Sequence, residues 1–344
     1  MKNGLRTILL TVDHLDRVPG PALAKAAYLA RATGARLELF HAIADLGSGP
    51  PARFMTREDF VNWKREVAAN RLARLKRLAR TKGLGRLAEC TVAWDASPTR
   101  AIVRRARAVH ADLVVAGTHG HTLGMRLRLG RGVIDWELIR QCPVPLLLVK
   151  SRRAYRGAAV IAAVDPFHAN AKPAALDPAL LRAAVRIGGI CRGDVHVFHA
   201  YMPLVPVQTL PMAAAGPAIA TPPDLEPMHQ HQLQRALERL AARVSIPAAR
   251  RHLQLGGVAG ELQALTRRLR AGMVVMGAVS RSAITRIIIG NTAEKVLDEL
   301  PCDVLVIKPR GFKAKFAAAA HGSPRLGSTL ARGRTAARRG ASPW

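Results

Sequence analysis

Short apolar runs punctuate the chain at 7–12 (TILLTV), 36–41 (RLELFH), 89–94 (ECTVAW), 112–116 (DLVVA) and 145–149 (PLLLV). Each is too short for a helix, and most are apolar at successive positions. That pattern predicts strands buried on both faces. Between them the apolar positions fall at helical spacing. The stretch 21–33 opens with Pro21, which suits a first helical turn, and Thr33 and Gly34 close it. The stretch 60–81 places Val67, Leu72, Leu75 and Leu78 on one stripe, with Lys64, Arg71, Arg74, Lys76 and Arg77 largely around it. It reads as an amphipathic helix with a basic face, which is ordinarily a solvated surface. Strands alternating with helices imply a parallel sheet covered on both sides.

The pattern then repeats. The strand ending at Asp13 recurs at Asp165, LELFHA with His41 recurs as VHVFHA with His199, and ADLVVAG with Gly117 recurs as AGMVVMG with Gly277. Gly130 likewise aligns with Gly290 and Lys150 with Lys308, and the offset stays between 152 and 160 residues throughout. A nearly constant offset over this length identifies two copies of one domain. The expected fold is α/β, two tandem five-stranded parallel-sheet (Rossmann-like) domains at 1–153 and 154–310, followed by a basic tail at 311–344. The last strands, PLLLVK and DVLVIK, are strongly apolar, and each is expected at a sheet edge, where an exposed apolar strand invites pairing. Set against one another, they would make an internal pseudo-dimer; a homodimer is left open.

Composition narrows the function. Of the 344 residues 49% are hydrophobic, enough for two packed cores. The four cysteines lie far apart without a CxxC pair, so a disulfide framework or zinc ribbon is not indicated and a reducing, cytoplasmic setting is expected. No apolar stretch reaches about 18 residues, which argues against a signal peptide or membrane span. Basic residues outnumber acidic ones 53 to 23, and the tail adds seven Lys or Arg without an acid. Salt-dependent electrostatic binding to nucleic acid or an anionic surface is therefore expected. Aromatic residues are only 4% of the chain, which argues against a base-stacking RNA sheet.

The strand ADLVVAG leads into GTHGHTLGMRLRLGRG, with Gly117, Gly120 and Gly130 ahead of a helix starting near Gly132. Glycines after a strand let backbone N–H groups approach an anion, and a helix N-terminus aimed there reinforces them. The spacing is neither a Walker loop nor the GxGxxG fingerprint. Asp13, at the carboxyl end of the first strand, would face the same crevice and could accept hydrogen bonds from a ribose or base. The alternative is that the glycines make turns and Asp13 caps the next helix.

In these residues the chain resembles the universal stress protein family, whose hallmark is Gly-x2-Gly-x9-Gly followed by Ser or Thr. Both copies match, over about residues 5 to 310, and the second, with GAVSRSAITRIIIGNTAEKV, is most similar to tandem-domain members of the E type. The resemblance implies adenine-nucleotide (ATP or AMP) binding in some members, and it carries that role to specific positions. In copy one these are Asp13 and Ala42 near the adenosine, with Ala116, Gly117, Gly120, Gly130, Arg131 and Gly132 around the ribose and phosphates. In copy two they are Asp165, Ala200, Met276, Gly277, Ser280, Gly290, Asn291 and Thr292. Copy one departs at Arg131, where the family has a hydroxyl; a guanidinium can fork onto a phosphate or fill the pocket. Copy two departs at Ser280, whose Cβ narrows the approach, and Asn291 with Glu294 reads as a capping box.

Other candidates have plain readings. His119 and His121 flank Gly120 and read as exposed loop residues. His41 and His199 read as satisfied core positions. His229 and His231 are too close for a helical metal pair. The apolar loop 201–223 either lines a cavity or packs across the domain interface. No nucleophile–base–acid set appears, so no enzymatic activity is expected. Two functions remain: a stress-response protein that binds a small ligand and acts through conformational change or partners, and a basic scaffold whose degenerate pockets leave it to bind an anionic polymer, a membrane surface or an apolar ligand.

Overall fold

The computed structural model describes residues 4–15, 20–44, 55–117, 133–167, 175–203, 225–278, 291–309 and 312; for 133–136 and 291–294 it describes the backbone alone. In the first half the strands are β1 (Thr7–Thr11), β2 (Arg36–Ala44), β3 (Ala88–Asp95), β4 (Leu113–Gly117) and β5 (Leu146–Val149). In the second they are β6 (Val160–Ala163), β7 (Val195–Tyr201), β8 (Arg251–Leu255), β9 (Met273–Gly277) and β10 (Asp303–Ile307). All ten form one sheet in the order β3-β2-β1-β4-β5-β10-β9-β6-β7-β8. Every pairing is parallel except β5 with β10, which run antiparallel with Leu147 opposite Leu305. The two apolar final strands meet as the repeat predicts, so each half's edge becomes the centre of the whole sheet.

Eight described helices cover it: α1 (Gly20–Thr33), α2 (Arg57–Thr81), α3 (Pro98–Ala108), α4 (Val133–Gln141), α5 (Leu176–Cys191), α6 (Leu225–Ala242), α7 (Val258–Arg268) and α8 (Asn291–Glu299). One core layer joins α1, α2, α5 and α6 to residues such as Ile8, Leu10, Leu305 and Ile307. The other joins α3, α4, α7 and α8 to Leu9, Val114, Val304 and Val306. Successive strand residues thus feed opposite layers, which is why the central strands β1, β4, β5 and β10 read as nearly unbroken apolar runs, whereas the edge strands β3 and β8 keep polar, partly exposed positions. Each layer crosses from one half into the other, so the core is continuous.

Element ends differ from the sequence expectation. β2 continues through Ala44 because Ala42, Ile43 and Ala44 still pair with β3. α2 begins at Arg57 because the Thr56 hydroxyl accepts the Asp59 N–H at 3.1 Å, a cap that the polar first turn concealed. Its basic face is only partly a solvated surface: the Lys64 ammonium lies over the Phe60 and Trp94 rings at 4.8 and 5.1 Å.

The joint between halves carries a reciprocal clamp. Lys150, just past β5, donates to the Leu297 and Leu300 carbonyls at the C-terminus of α8. Lys308, just past β10, donates to the Ile139 carbonyl at the C-terminus of α4. A lysine at a helix C-terminus satisfies orphan carbonyls and suits the dipole. Burial pushes the Lys308 pKa down to about 7 and lowers that of Lys150.

Candidate functional site

Each half has one place where the strand order reverses, between β1 and β4 and between β6 and β9. A crevice opens there at the carboxyl ends of the strands. In the first half β1 is fully buried and ends two residues before Asp13, which is partly exposed. The Val12 N–H donates to the Phe40 carbonyl at 2.9 Å, and the Val12 carbonyl meets Nδ1 of His41 at 2.6 Å. His41 thus fixes the backbone next to Asp13, and burial lowers its pKa, favouring the neutral ring. Continuing the β1–β2 register sets Ala42 beside Asp13. β4 contributes buried Ala116 and Gly117 on the other side. α4 leads into β5, so its N-terminus lies toward the carboxyl edge of the sheet.

The second half repeats the frame. The Val164 N–H donates to the Phe198 carbonyl at 3.0 Å, and Nδ1 of His199 meets the Val164 carbonyl at 3.0 Å. Ala200 comes level with Asp165, and Met276 and Gly277 end β9. Two features change the chemistry. Met276, partly exposed, stands where the first half has the smaller Ala116. Asp177, fully buried at the start of α5, accepts the Asp165 N–H at 3.3 Å, and one carboxylate oxygen of Asp165, Oδ2, is buried without a hydrogen-bond partner. Two carboxyl groups in this corner oppose a third negative charge. The helix holds the aspartate backbone here, the reverse of an aspartate capping the helix.

The structure therefore brings together Asp13, Ala42, Ala116 and Gly117, and separately Asp165, Ala200, Met276 and Gly277. Gly120, Gly130, Arg131, Gly132, Ser280 and Gly290 lie outside the described residues, as do His119, His121, the tail 313–344 and loop residues 204–223. Asn291 and Thr292 begin α8, with the backbone alone described. His229 meets Tyr201 edge-on, with ring centroids 5.9 Å apart.

Two polar clusters escaped the sequence reading. At the end of β3, Asp95 accepts Arg100 at 2.5 Å, Arg104 at 3.2 Å and the Ser97 N–H. Burial alone would raise the Asp95 pKa, but the Arg100 bond and its neighbours outweigh it, and the net shift is downward. The DASPTR run signals the cap at Ser97, with Pro98 in the first turn of α3, and hence an acid near that helix start. On β7 and β8, Nδ1 of His196 lies 3.0 Å from Nε2 of His252 with the rings stacked. Only knowledge of the strand register could have paired them.

The family model described as Universal stress protein family matches residues 4–150 and 163–308. The chain is 28% identical over 321 residues to Universal stress protein E of Photorhabdus laumondii, covering 90% of this chain and 98% of that protein. It is 28% identical over 316 residues to Universal stress protein E of Escherichia coli K12, covering 89% and 95%. Its fold is similar to the crystal structure of the functionally unknown protein PA1789 of Pseudomonas aeruginosa PAO1, with a TM-score of 0.64, 24% identity and 89% and 93% of the two chains covered.

Proposed function

Since the chain belongs to the universal stress protein family, we propose that it is a tandem stress-response protein of the cytoplasm that holds an adenine nucleotide, ATP or AMP, in the crevice of its first half. It acts through conformational change or partners and does not turn the ligand over. The observation that supports this reading is the meeting of Asp13, Ala42 and Gly117 where the strand order reverses. Asp13 would accept from the adenosine, Ala42 and Ala116 leave room for it, and Gly117 with the following glycines would admit phosphates to the backbone. The proposal includes the division into domains at 1–153 and 154–310 with a separate tail at 311–344. The second crevice, with Met276, Ser280 and the Asp165–Asp177 pair, is the weaker nucleotide site.

The test is nucleotide content after native purification, followed by direct titration. Gly130→Val is expected to abolish ATP binding and Gly290→Val to leave it nearly unchanged; the opposite result would assign the site to the second half. Asp13→Ala is expected to weaken binding about tenfold, as loss of a charged hydrogen-bond acceptor does. Steady phosphate release that disappears in Asp13→Ala would contradict binding without turnover.

A further inference from the structure

We propose that the second half carries a second, separate anion site at the amino ends of its strands, shaped for a small molecule bearing two or more phosphate groups. A cavity of about 560 Å³ opens there, within the range of small-ligand sites. Arg153, Arg156, Arg192 and Arg270 line it, and its single lining acid, Asp194, pairs with Arg250 at 2.8 Å. Four arginines thus line one hollow whose one acid is already paired, and planar guanidinium forks match phosphate oxygens.

The site is built by close backbone packing. A Cβ on Gly193 would lie 1.9 Å from the Ala158 carbonyl oxygen, and one on Gly272 would lie 2.6 Å from the Ala158 Cβ. These two glycines let the connection between the halves seat against the ends of α5 and α7. The Gly157 N–H donates to the Cys191 carbonyl at 2.7 Å, the Gly272 N–H to the Ala159 carbonyl at 2.9 Å, and Arg153 donates to the Arg270 carbonyl at 2.5 Å. Arg153 and Arg156 are thereby brought beside the other two arginines.

Arg192 and Arg270 themselves sit at φ +53° and +47°, left-handed positions that favour glycine. The first half has Gly34, φ +72°, where the second has Arg192, and His110 where it has Arg270. It also has Ala35 for Gly193 and the carboxylate of Asp112 for Gly272. The first copy thus lacks Arg192 and Arg270, two of the four arginines of the cluster. An arginine after a helix also suits the helix dipole, and that purely structural role gives the opposite prediction below.

Inorganic tripolyphosphate titrated calorimetrically into the full chain at about 150 mM salt tests the site. The double variant Arg192→Gly, Arg270→Gly removes two forks while relieving two left-handed backbones. It is expected to weaken tripolyphosphate binding at least about tenfold with Tm unchanged or raised. Arg65→Ala with Arg77→Ala, an equal loss of charge from the exposed face of α2, is expected to change it less than about twofold. Equal weakening by both pairs would reduce the effect to net charge and overturn the proposal. So would a fall in Tm with binding unchanged, the signature of helix capping alone. Loss of binding in Gly130→Val but not in the arginine pair would place the anion in the nucleotide crevice and overturn it too. A short DNA duplex that depends on the pair while tripolyphosphate does not bind would assign the arginines to a polymer backbone instead.

Discussion

Asp303 is fully buried, and four donors converge on its carboxylate. Oδ2 accepts Lys25 at 2.5 Å and the Tyr155 hydroxyl at 2.6 Å; Oδ1 accepts the N–H groups of Lys150 and Ser151 at 3.0 and 2.9 Å. Burial first, and then Asp303, holds the Tyr155 pKa well above its ordinary value, so its hydroxyl keeps the proton it donates. Removing the carboxylate leaves the Lys25 ammonium buried without its counter-charge. Asp303→Ala is expected to cost about 3–5 kcal/mol in urea unfolding; a loss below about 1 kcal/mol would mean that water reaches the site and replaces it. Nothing in the sequence announced this cluster, because its partners come from up to 278 residues away and the first copy has Pro145 at the equivalent position. The His196–His252 pair is a second case. Burial lowers both pKa values, that of His252 to about 4, with His196, Arg268 and Arg250 adding to the effect and Asp194 opposing it at His196. The folded pKa lies below the unfolded value, so the unfolded chain binds more protons between about pH 6.5 and 4. Stability therefore falls as pH drops through that window, by on the order of 1–2 kcal/mol after allowance for solvent screening. His252→Leu is expected to flatten the dependence of the urea midpoint between about pH 7 and 5; an unchanged slope would acquit the pair.

At the scale of elements, most of the architecture was legible. Short apolar runs located the first five strands to within a few residues, because the fully buried β1, β4 and β5 have few polar positions to blur their ends and even the partly exposed edge strand β3 keeps an apolar centre. Helix starts were harder to read. α2 opens with Arg57, Glu58 and Asp59, which carry no apolar period, and only the Thr56 cap defines its first turn. Thr56→Ala is expected to remove about 1 kcal/mol from that turn, seen as faster amide exchange over 57–62 with the rest of the helix unchanged. The repeat aligned Lys150 with Lys308, yet their exchange of helix ends needed the antiparallel β5–β10 pairing, which decides the element each lysine can reach. Of the candidate site, the aspartates and the glycines ending β4 and β9 were readable as motif. Asp177 was not, because its carboxyl acts on a backbone 12 residues away.

For the whole molecule, the excess of basic over acidic residues predicts nucleic-acid binding that weakens steeply with salt and shows little sequence preference. Ending the chain at Arg310 removes seven basic residues and is expected to lower the slope of log K against log salt between about 50 and 200 mM. Identical slopes would take the tail out of the contact. A marked preference for one DNA sequence would contradict the electrostatic origin. The antiparallel β5–β10 pairing has a consequence for the two crevices. It turns the second half head-to-tail against the first, so the two crevices look out in opposing directions. A small ligand seated in one therefore faces away from the other. Any coupling between ligands held in the two crevices would have to travel through the shared sheet.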